Sequence, residues 1–368
     1  MKDQQHAPVV FEERAAAGGK KIGVAMLNSE KSLNSLSLPM VELLLPQLLE
    51  WQADDSVLAV FLHAAGEKAF CAGGDVVALH AGSASYGEEL PDNSCEHFFA
   101  EEYKLDYLIC TFGKPFVVWG SGIVMGGGLG LHSGASHRIV TETTRMAMPE
   151  VTIGLYPDVG GTWFLNRTPG KTGLFLGLTG ANFNGADAIY TGLADHFIAS
   201  HLKDEILTAL TEVKCVRGVD GVMQHFGALS APQMPASNVE AHRDWIETVC
   251  AGEDLLAIVA RITAYNGDDS WCSKAAQTLA AGCPVTPYLV WEQLHRGKDL
   301  SLEDVFRLEL TMSVNCAKRG HFKEGVRALL IDKDRKPVWT PAAIADVTAE
   351  EVAAFFVEPW AKHPLAVL

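Results

Sequence analysis

Apolar positions along the first third of the chain switch between two periods. Lys21 to Leu27 and Val57 to His63 are short, β-rich apolar runs of strand length. Between them, Leu38 to Trp51 places its apolar residues at helical spacing, which gives a βαβ rhythm. A second amphipathic stretch follows from Ser94 to Thr111, then the apolar strand Phe116 to Trp119, then a run of glycines that opens a helix near Leu129. Beyond Lys203 the strand pattern thins and helical periods dominate, interrupted at Ser230 to Ser237 (SAPQMPAS) and at Asn266 to Ser270 (NGDDS). The pattern predicts an α/β protein with a helical C-terminal region and a boundary between residues 215 and 235. The segment Ala81 to Asn93, rich in Gly, Ser, Pro and acid, reads as a surface loop.

Composition narrows the function. The chain has 368 residues, enough for one large core or two domains. Its 45 acidic side chains against 29 basic ones give a net charge of −16 and disfavour nucleic acid as a partner. Eight cysteines without a CxxC pair, behind an N-terminus without an apolar signal stretch, predict a reducing, cytoplasmic setting. The uncharged run Pro115 to Ser136 holds seven glycines, so it reads as strand, loop and helix start, with no membrane span.

Three segments carry candidate chemistry. The first, Lys68-Ala-Phe-Cys-Ala-Gly-Gly-Asp75, joins a predicted strand to a helix-compatible run, Val76 to His80. Amides in such a turn lack intrahelical acceptors, and two glycines let a ligand approach them. A tight turn capped by Asp75 explains the same residues without any ligand. The second, Met125-Gly-Gly-Gly-Leu-Gly130, opens a helix in the same way; two turns of this kind supply the paired amides of an oxyanion hole. In the third, Glu150 and Asp158 stand in an otherwise apolar stretch, MPEVTIGLYPDVGG, where acids gain raised pKa values and general acid/base roles. Each also has a structural explanation: Glu150 in the first turn of a short helix, Asp158 as the N-cap of a helix beginning near Gly160.

Other chemistries fit less well. His63, His132, His137 and His196 have no metal-ligand spacing, and Ser121 is not in a GxSxG elbow. Cys71 has no histidine placed by sequence to activate it. No GxxxxGK[ST] and no clean GxGxxG with a later acid is present, which disfavours nucleotide folds.

Taken together, the three segments resemble the crotonase, or enoyl-CoA hydratase/isomerase, superfamily. KAFCAGGD is similar to its first oxyanion turn, GIVMGGGLGL to its second, and MPEVTIGLYPDVGGTWFLNRTPGKTGLFLGLTG to the stretch that carries its catalytic acid. Phe98-Phe-Ala-Glu-Glu-Tyr103, Pro157-Asp158-Val-Gly-Gly161 and the late HFKEGVRALLIDKD, with Pro337 and Trp339, resemble the 3-hydroxyisobutyryl-CoA hydrolase branch. Ordinary hydratases carry a glutamate just after the glycine triplet, where this chain has Gly130. LNSEKSLNSL lacks the branch's usual Arg-Pro, and Gly282-Cys-Pro-Val-Thr-Pro287 replaces its SPTS-like turn; both changes bear on acyl preference and CoA affinity.

The resemblance implies a spiral of ββα units over residues 1–225, with helices over 226–368 covering an acyl-CoA site. It implies Gly74 and Gly127 as oxyanion donors, Glu150 and Asp158 as catalytic acids, and Glu102 beside Gly127, Glu150 and Asp158 at the substrate. Coenzyme A enters as part of the substrate, with Lys31, Lys68 and Lys171 as candidate phosphate partners and no metal or redox cofactor. The implied activity is thioester hydrolysis in valine catabolism; the alternatives are an enoyl-CoA hydratase/isomerase and a non-catalytic acyl-CoA binder. Crotonase relatives assemble as homo-oligomers, but a longer helical C-terminal part is able to replace contacts between copies.

Overall fold

The computed structural model describes residues 7–368. Val9–Ala16 (β1) and Lys20–Leu27 (β2) form an antiparallel hairpin, with Val9 opposite Leu27 and Ala16 opposite Lys20. β1 carries the charged Glu12, Glu13 and Arg14 and forms a sheet edge, so its apolar period is weak in the sequence. The chain then alternates between two sheets. Val57–Ala64 (β3) joins the larger and Ala69–Cys71 (β4) the smaller; Phe116–Gly120 (β5) and Ile123–Met125 (β6) repeat the step, as do His137–Val140 (β7) and Arg145–Ala147 (β8). Phe183–Asn184 (β9) ends the small sheet and His196–Phe197 (β10) the large one. The large sheet has the order β1-β2-β3-β5-β7-β10 and is parallel from β2 onward; the small one has the order β4-β6-β8-β9.

The β3/β4 and β5/β6 pairs each lead into a helix, Val76–Gly82 and Gly127–Ser133. This is the ββα repeat of the expected spiral. The second helix starts at Gly127 itself, two residues before the position read from the apolar period, because its first turn is made of glycine and has no apolar signal.

The chain divides into two units. One comprises residues 1–74, 104–146 and 183–240 and holds the sheets. Its core joins Ile22, Val24, Phe61, Val117, Trp119 and Ile139 to Ile206 and Leu210 of the helix Lys203–Glu212 and to Val219, Met223 and Phe226 of the helix Val216–Ser230. The spacing of those last three residues places them on one helical face. The other unit comprises residues 75–103, 147–182 and 241–368. In it the helix Leu302–Lys318 is buried on most of its surface, and Thr286–Gly297 packs against Thr172–Thr179 and Gly161–Leu165. Among the described residues no strand follows Phe197, and no helix is long and apolar enough to cross a membrane.

One polar anchor supports the sheet-bearing unit. The fully buried Asp187 accepts the Asn184 amide at 2.7 Å, the Val239 amide at 2.8 Å and the Ser237 hydroxyl at 2.7 Å, closing a capping box with Asn184. Asp187→Ala leaves these donors without an acceptor and is expected to cost roughly 3 kcal/mol. Urea unfolding measures it, and an unchanged midpoint would remove the anchor from this account.

Candidate active site

The sheet register brings the two glycine turns together. β4 and β6 run parallel with Cys71 opposite Val124, and three residues beyond each lie Gly74 and Gly127. Gly73 and Gly126 have positive φ (114° and 47°), a conformation that a Cβ would strain. A Cβ on Gly128 would come within 2.3 Å of the Cys71 carbonyl oxygen, so the approach of the two turns requires glycine there. The turn amides at Leu129 and Gly130 both bond back to the Gly126 carbonyl. Among the described residues no partner takes the amides of Gly74 or Gly127. Asp75 caps the helix Val76–Gly82 by accepting the Ala78 amide at 3.1 Å, so its side chain has a structural task. Gly130 lies buried in the helix Gly127–Ser133 and offers no carboxylate.

The acids gather in the helical unit. Glu102 sits on the helix Ser94–Cys110, Glu150 opens the 3-10 turn Glu150–Thr152 behind Pro149, and Asp158 lies in the loop before Gly161–Leu165. All three are buried. Burial, reinforced by the charge of Asp158, pushes Glu102 and Glu150 well above the ordinary carboxylate range. Burial lifts Asp158 as well, to about 6, against the opposing pull of the Tyr103 hydroxyl, which donates to its Oδ2 at 2.6 Å. Glu102 Oε1 and Glu150 Oε2 have no hydrogen-bond partner. Buried acceptors of this kind are ready for a ligand hydroxyl or water.

Asp158 does not cap the following helix. Gly160 takes that position with φ 88°, and the Asp158 main-chain carbonyl accepts the Gly161 amide. Its carboxyl takes no part in capping and accepts the Tyr103 hydroxyl instead. The loop around it is tied down by side chains from two helices: Thr286 donates to the Leu155 carbonyl at 2.6 Å and Gln293 to the Pro157 carbonyl at 2.8 Å. Glu309 receives the amides of Gly160 at 2.7 Å and Thr162 at 2.8 Å. These bonds hold Val159 at φ 53°, a strained value for a β-branched residue. Burial raises Glu309 to about 8 even with two amide donors.

Sequence reasoning brought out Glu102, Glu150 and Asp158, and these share one electrostatic environment. It passed over Glu309, Gln293, Ser313, Tyr103 and Tyr156. The available signal was a polar residue inside an apolar helical face: Glu309 and Ser313 are one turn apart between Val305, Leu310, Met312 and Cys316, all buried. Among the candidate phosphate partners, Lys31 and Lys68 are exposed, and Lys171 lines a cavity of about 420 Å³ with Trp291, His295 and Lys298. The ligating atoms of His242, Asp269 and Cys272 lie within 4.8 Å of one another. Asp269 there caps the helix Ser270–Ala281 through its Oδ1, while its Oδ2 lies 3.4 Å from His242.

Comparison with known proteins gives a consistent family. Residues 22–356 match the family described as Enoyl-CoA hydratase/isomerase. The 3-hydroxyisobutyryl-CoA hydrolase, mitochondrial, of Xenopus tropicalis is 38% identical over 91% of this chain and 86% of its own length. The Homo sapiens protein of that name is 34% identical over the same shares. A crystal structure titled carnitinyl-CoA dehydratase, from Mycobacterium thermoresistibile, is 38% identical with a TM-score of 0.83, covering 96% of this chain and 98% of that one. A Rhodobacter sphaeroides enoyl-CoA hydratase structure is 32% identical with a TM-score of 0.81, covering 95% and 97%. The crotonase-type spiral with a helical C-terminal region is therefore the fold of this chain.

The raised proton affinity of Asp158 has a cost that stability measurements reveal. Its folded value of about 6 exceeds the ordinary 3.8, so the folded state holds the proton more tightly. Stability from this site is complete below about pH 4 and is lost as the pH rises through 6, by ~3 kcal/mol in total. Asp158→Asn, which cannot ionise, is expected to be more stable than the parent chain at pH 8 and to lose that advantage toward pH 5. Thermal unfolding across this range checks it; a gain that does not vary with pH would contradict the assignment.

Proposed function

The chain belongs to the enoyl-CoA hydratase/isomerase family, and from that premise we propose that it hydrolyses a short, branched 3-hydroxyacyl-CoA thioester, 3-hydroxyisobutyryl-CoA foremost. The observation that carries the reading is the buried trio Glu102, Glu150 and Asp158, combined with Gly130 where an ordinary hydratase has a glutamate just after its glycine triplet. A hydratase places acid and base on an alkene. This arrangement offers its acids to a thioester and a neighbouring hydroxyl.

In this scheme the amides of Gly74 and Gly127 receive the thioester oxygen as negative charge develops on it. Losing one such donor costs about 10²- to 10³-fold in rate. Glu150, as its carboxylate, attacks the carbonyl carbon, forming a mixed anhydride as the C–S bond breaks, and water then cleaves the anhydride to the free acid and restores Glu150; in the other route Glu150 takes a proton from a water that attacks the thioester in its place. Both routes end in a free acid and the CoA thiol, which gains the proton lost by water. Glu102 and Asp158 receive the 3-hydroxyl, and the unpartnered Glu102 oxygen supports that role. The scheme uses no metal or redox group, and coenzyme A arrives as part of the substrate, its phosphates assigned to Lys31, Lys68 and Lys171.

A second reading, hydration of an enoyl-CoA or the reverse loss of water from a hydroxyacyl-CoA, is favoured by the names of the two similar structures. We place the protein in a reducing compartment, the cytoplasm by our sequence reading, on the strength of eight free cysteines. Its curated relatives are named as mitochondrial. A homo-oligomer stays part of the proposal, and light scattering coupled to gel filtration measures it.

The deciding experiment follows free thiol from 3-hydroxyisobutyryl-CoA and enoyl absorbance from crotonyl-CoA in parallel. Thiol release with the first substrate is the expected result; loss of enoyl absorbance with only background thiol would establish the second reading. Glu150→Ala should keep the fold and lower kcat by roughly 10² to 10⁴. Equal turnover in that variant would take Glu150 out of the mechanism.

A further inference from the structure

Behind Asp158 runs a line of hydroxyl groups. Tyr103 touches Asp158 Oδ2 at 2.6 Å and Ser313 Oγ at 2.6 Å; Ser313 touches Tyr156 at 2.8 Å; Tyr156 touches the main-chain oxygen of Glu309 at 2.6 Å. Every member is buried. The far end of the line, a carbonyl, accepts and never donates.

Counting protons over these contacts gives an asymmetry. Four oxygen–oxygen contacts need four protons, and the three hydroxyls supply three. With Asp158 ionised, Tyr103 donates to it and Tyr156 donates to the Glu309 carbonyl, which leaves the single Ser313 proton for two contacts; we assign it to the shorter one, toward Tyr103. The contact left without a proton is then Ser313 to Tyr156, the longest of the four. With Asp158 protonated, Tyr103 and Ser313 turn about while Tyr156 keeps its bond to the carbonyl, so that the donors run from Asp158 to Tyr103, Ser313, Tyr156 and the carbonyl. All four contacts are then filled.

We propose that Tyr103, Ser313 and Tyr156 form a reversible hydroxyl chain whose donors reorient as Asp158 takes a proton from, or returns it to, the substrate hydroxyl or water, with Ser313 and Tyr156 acting as positioning residues for its ionisation. The chain stores the acid's proton change without shifting a heavy atom, which keeps the pinned loop in place throughout. No proton travels along the line: the one taken up by Asp158 stays on its carboxyl, the Tyr103 and Ser313 protons rotate to new acceptors, and Tyr156 keeps its bond to the carbonyl. Its value to turnover rests on the hydrolase reading, in which Asp158 meets the substrate hydroxyl.

The surroundings bear on Asp158 from every packed element. Glu102 and Tyr103 lie on the helix Ser94–Cys110, Glu150 on the 3-10 turn, Tyr156 on the loop itself, and Glu309 and Cys316 on the helix Leu302–Lys318. Among the described residues none of the carboxyl groups in this set forms an ion pair. Arg319, at the end of that last helix, bears on Cys316, and none of these carboxyl groups takes it as an ion-pair partner, so the chain acts on acids that no cation pairs with.

The test is an infrared titration of the full-length protein without substrate, reading the protonated-carboxyl band that Asp158→Asn removes. Tyr103→Phe takes away the donor to the carboxylate and should raise the Asp158 midpoint by about one pH unit. Tyr156→Phe takes away a contact that is filled only when Asp158 is protonated, and should lower the midpoint by about one unit. Ser313→Ala should shift it downward too, and Ser313→Thr should restore it. Opposite signs for Tyr103→Phe and Tyr156→Phe support the chain; shifts of the same sign, or none for Tyr156→Phe, overturn it. A merely structural loss would not divide in this way. The acidic limb of kcat/KM for 3-hydroxyisobutyryl-CoA should follow the same displacements. If the infrared midpoints divide but no thiol is released by any form, the chain stands and the hydrolase reading falls.

Discussion

Keeping carboxyl groups out of water without a counter-cation is the constraint on which the helical unit depends. Moving an isolated carboxylate into a protein interior costs several kcal/mol even after relaxation. Glu102, Glu150, Asp158 and Glu309 are all buried, and burial is the first cause of the raised proton affinity of each. The structure answers the cost differently at each one. Glu309 receives two main-chain amides and becomes a structural tie; Asp158 receives one hydroxyl and stays close to neutrality; Glu102 and Glu150 each keep an oxygen with no partner. The degree of satisfaction thus separates the acid that holds the loop from the acids left with bonding capacity to spare.

Much of the spiral was legible because its strands are continuous apolar runs and its turns are rich in glycine. The strands at Lys20–Leu27, Val57–Ala64 and Phe116–Gly120 begin or end within a residue of where the apolar pattern put them. β1 was passed over because an edge strand that carries Glu-Glu-Arg has little apolar period, and the two-residue strands β9 and β10 are too short to have any. Glu150 and Asp158 stood out as acids in an apolar stretch. Glu309 did not, because a single acid in a helix reads as a solvated residue until its neighbours are known to be buried. The partners that give it meaning, Gly160 and Thr162, lie about 150 positions away in the chain, and nothing local announces them.

Two levels of specificity are encoded in different kinds of structure. The amide pair depends on backbone alone: the pairing of Cys71 with Val124 and the absence of a Cβ at Gly128 fix it, whatever acid the protein uses. The acids are carried by side chains and can change one at a time. This explains how a hydrolase by name and a dehydratase by title can share 38% identity with the same chain. Identity over the whole length reports the fold, and the fold alone does not settle which reaction its site performs.

The hydroxyl beside Asp158 makes chemical sense where a cation would not. A lysine or arginine at hydrogen-bond distance would hold the aspartate ionised across the physiological range, and the group could then neither accept a proton nor release one during turnover. Tyr103 donates one neutral hydrogen bond, which offsets part of the burial penalty and leaves the acid near 6. At that value both protonation states are within easy reach at neutral pH, which is the condition for acid/base work. The strained Val159, the capping glycine and the three side chains that bind the loop hold the carboxyl at one position while its charge changes. Rigidity of the backbone and mobility of the protons are therefore complementary: the first fixes where the acid stands, and the second lets it change state there.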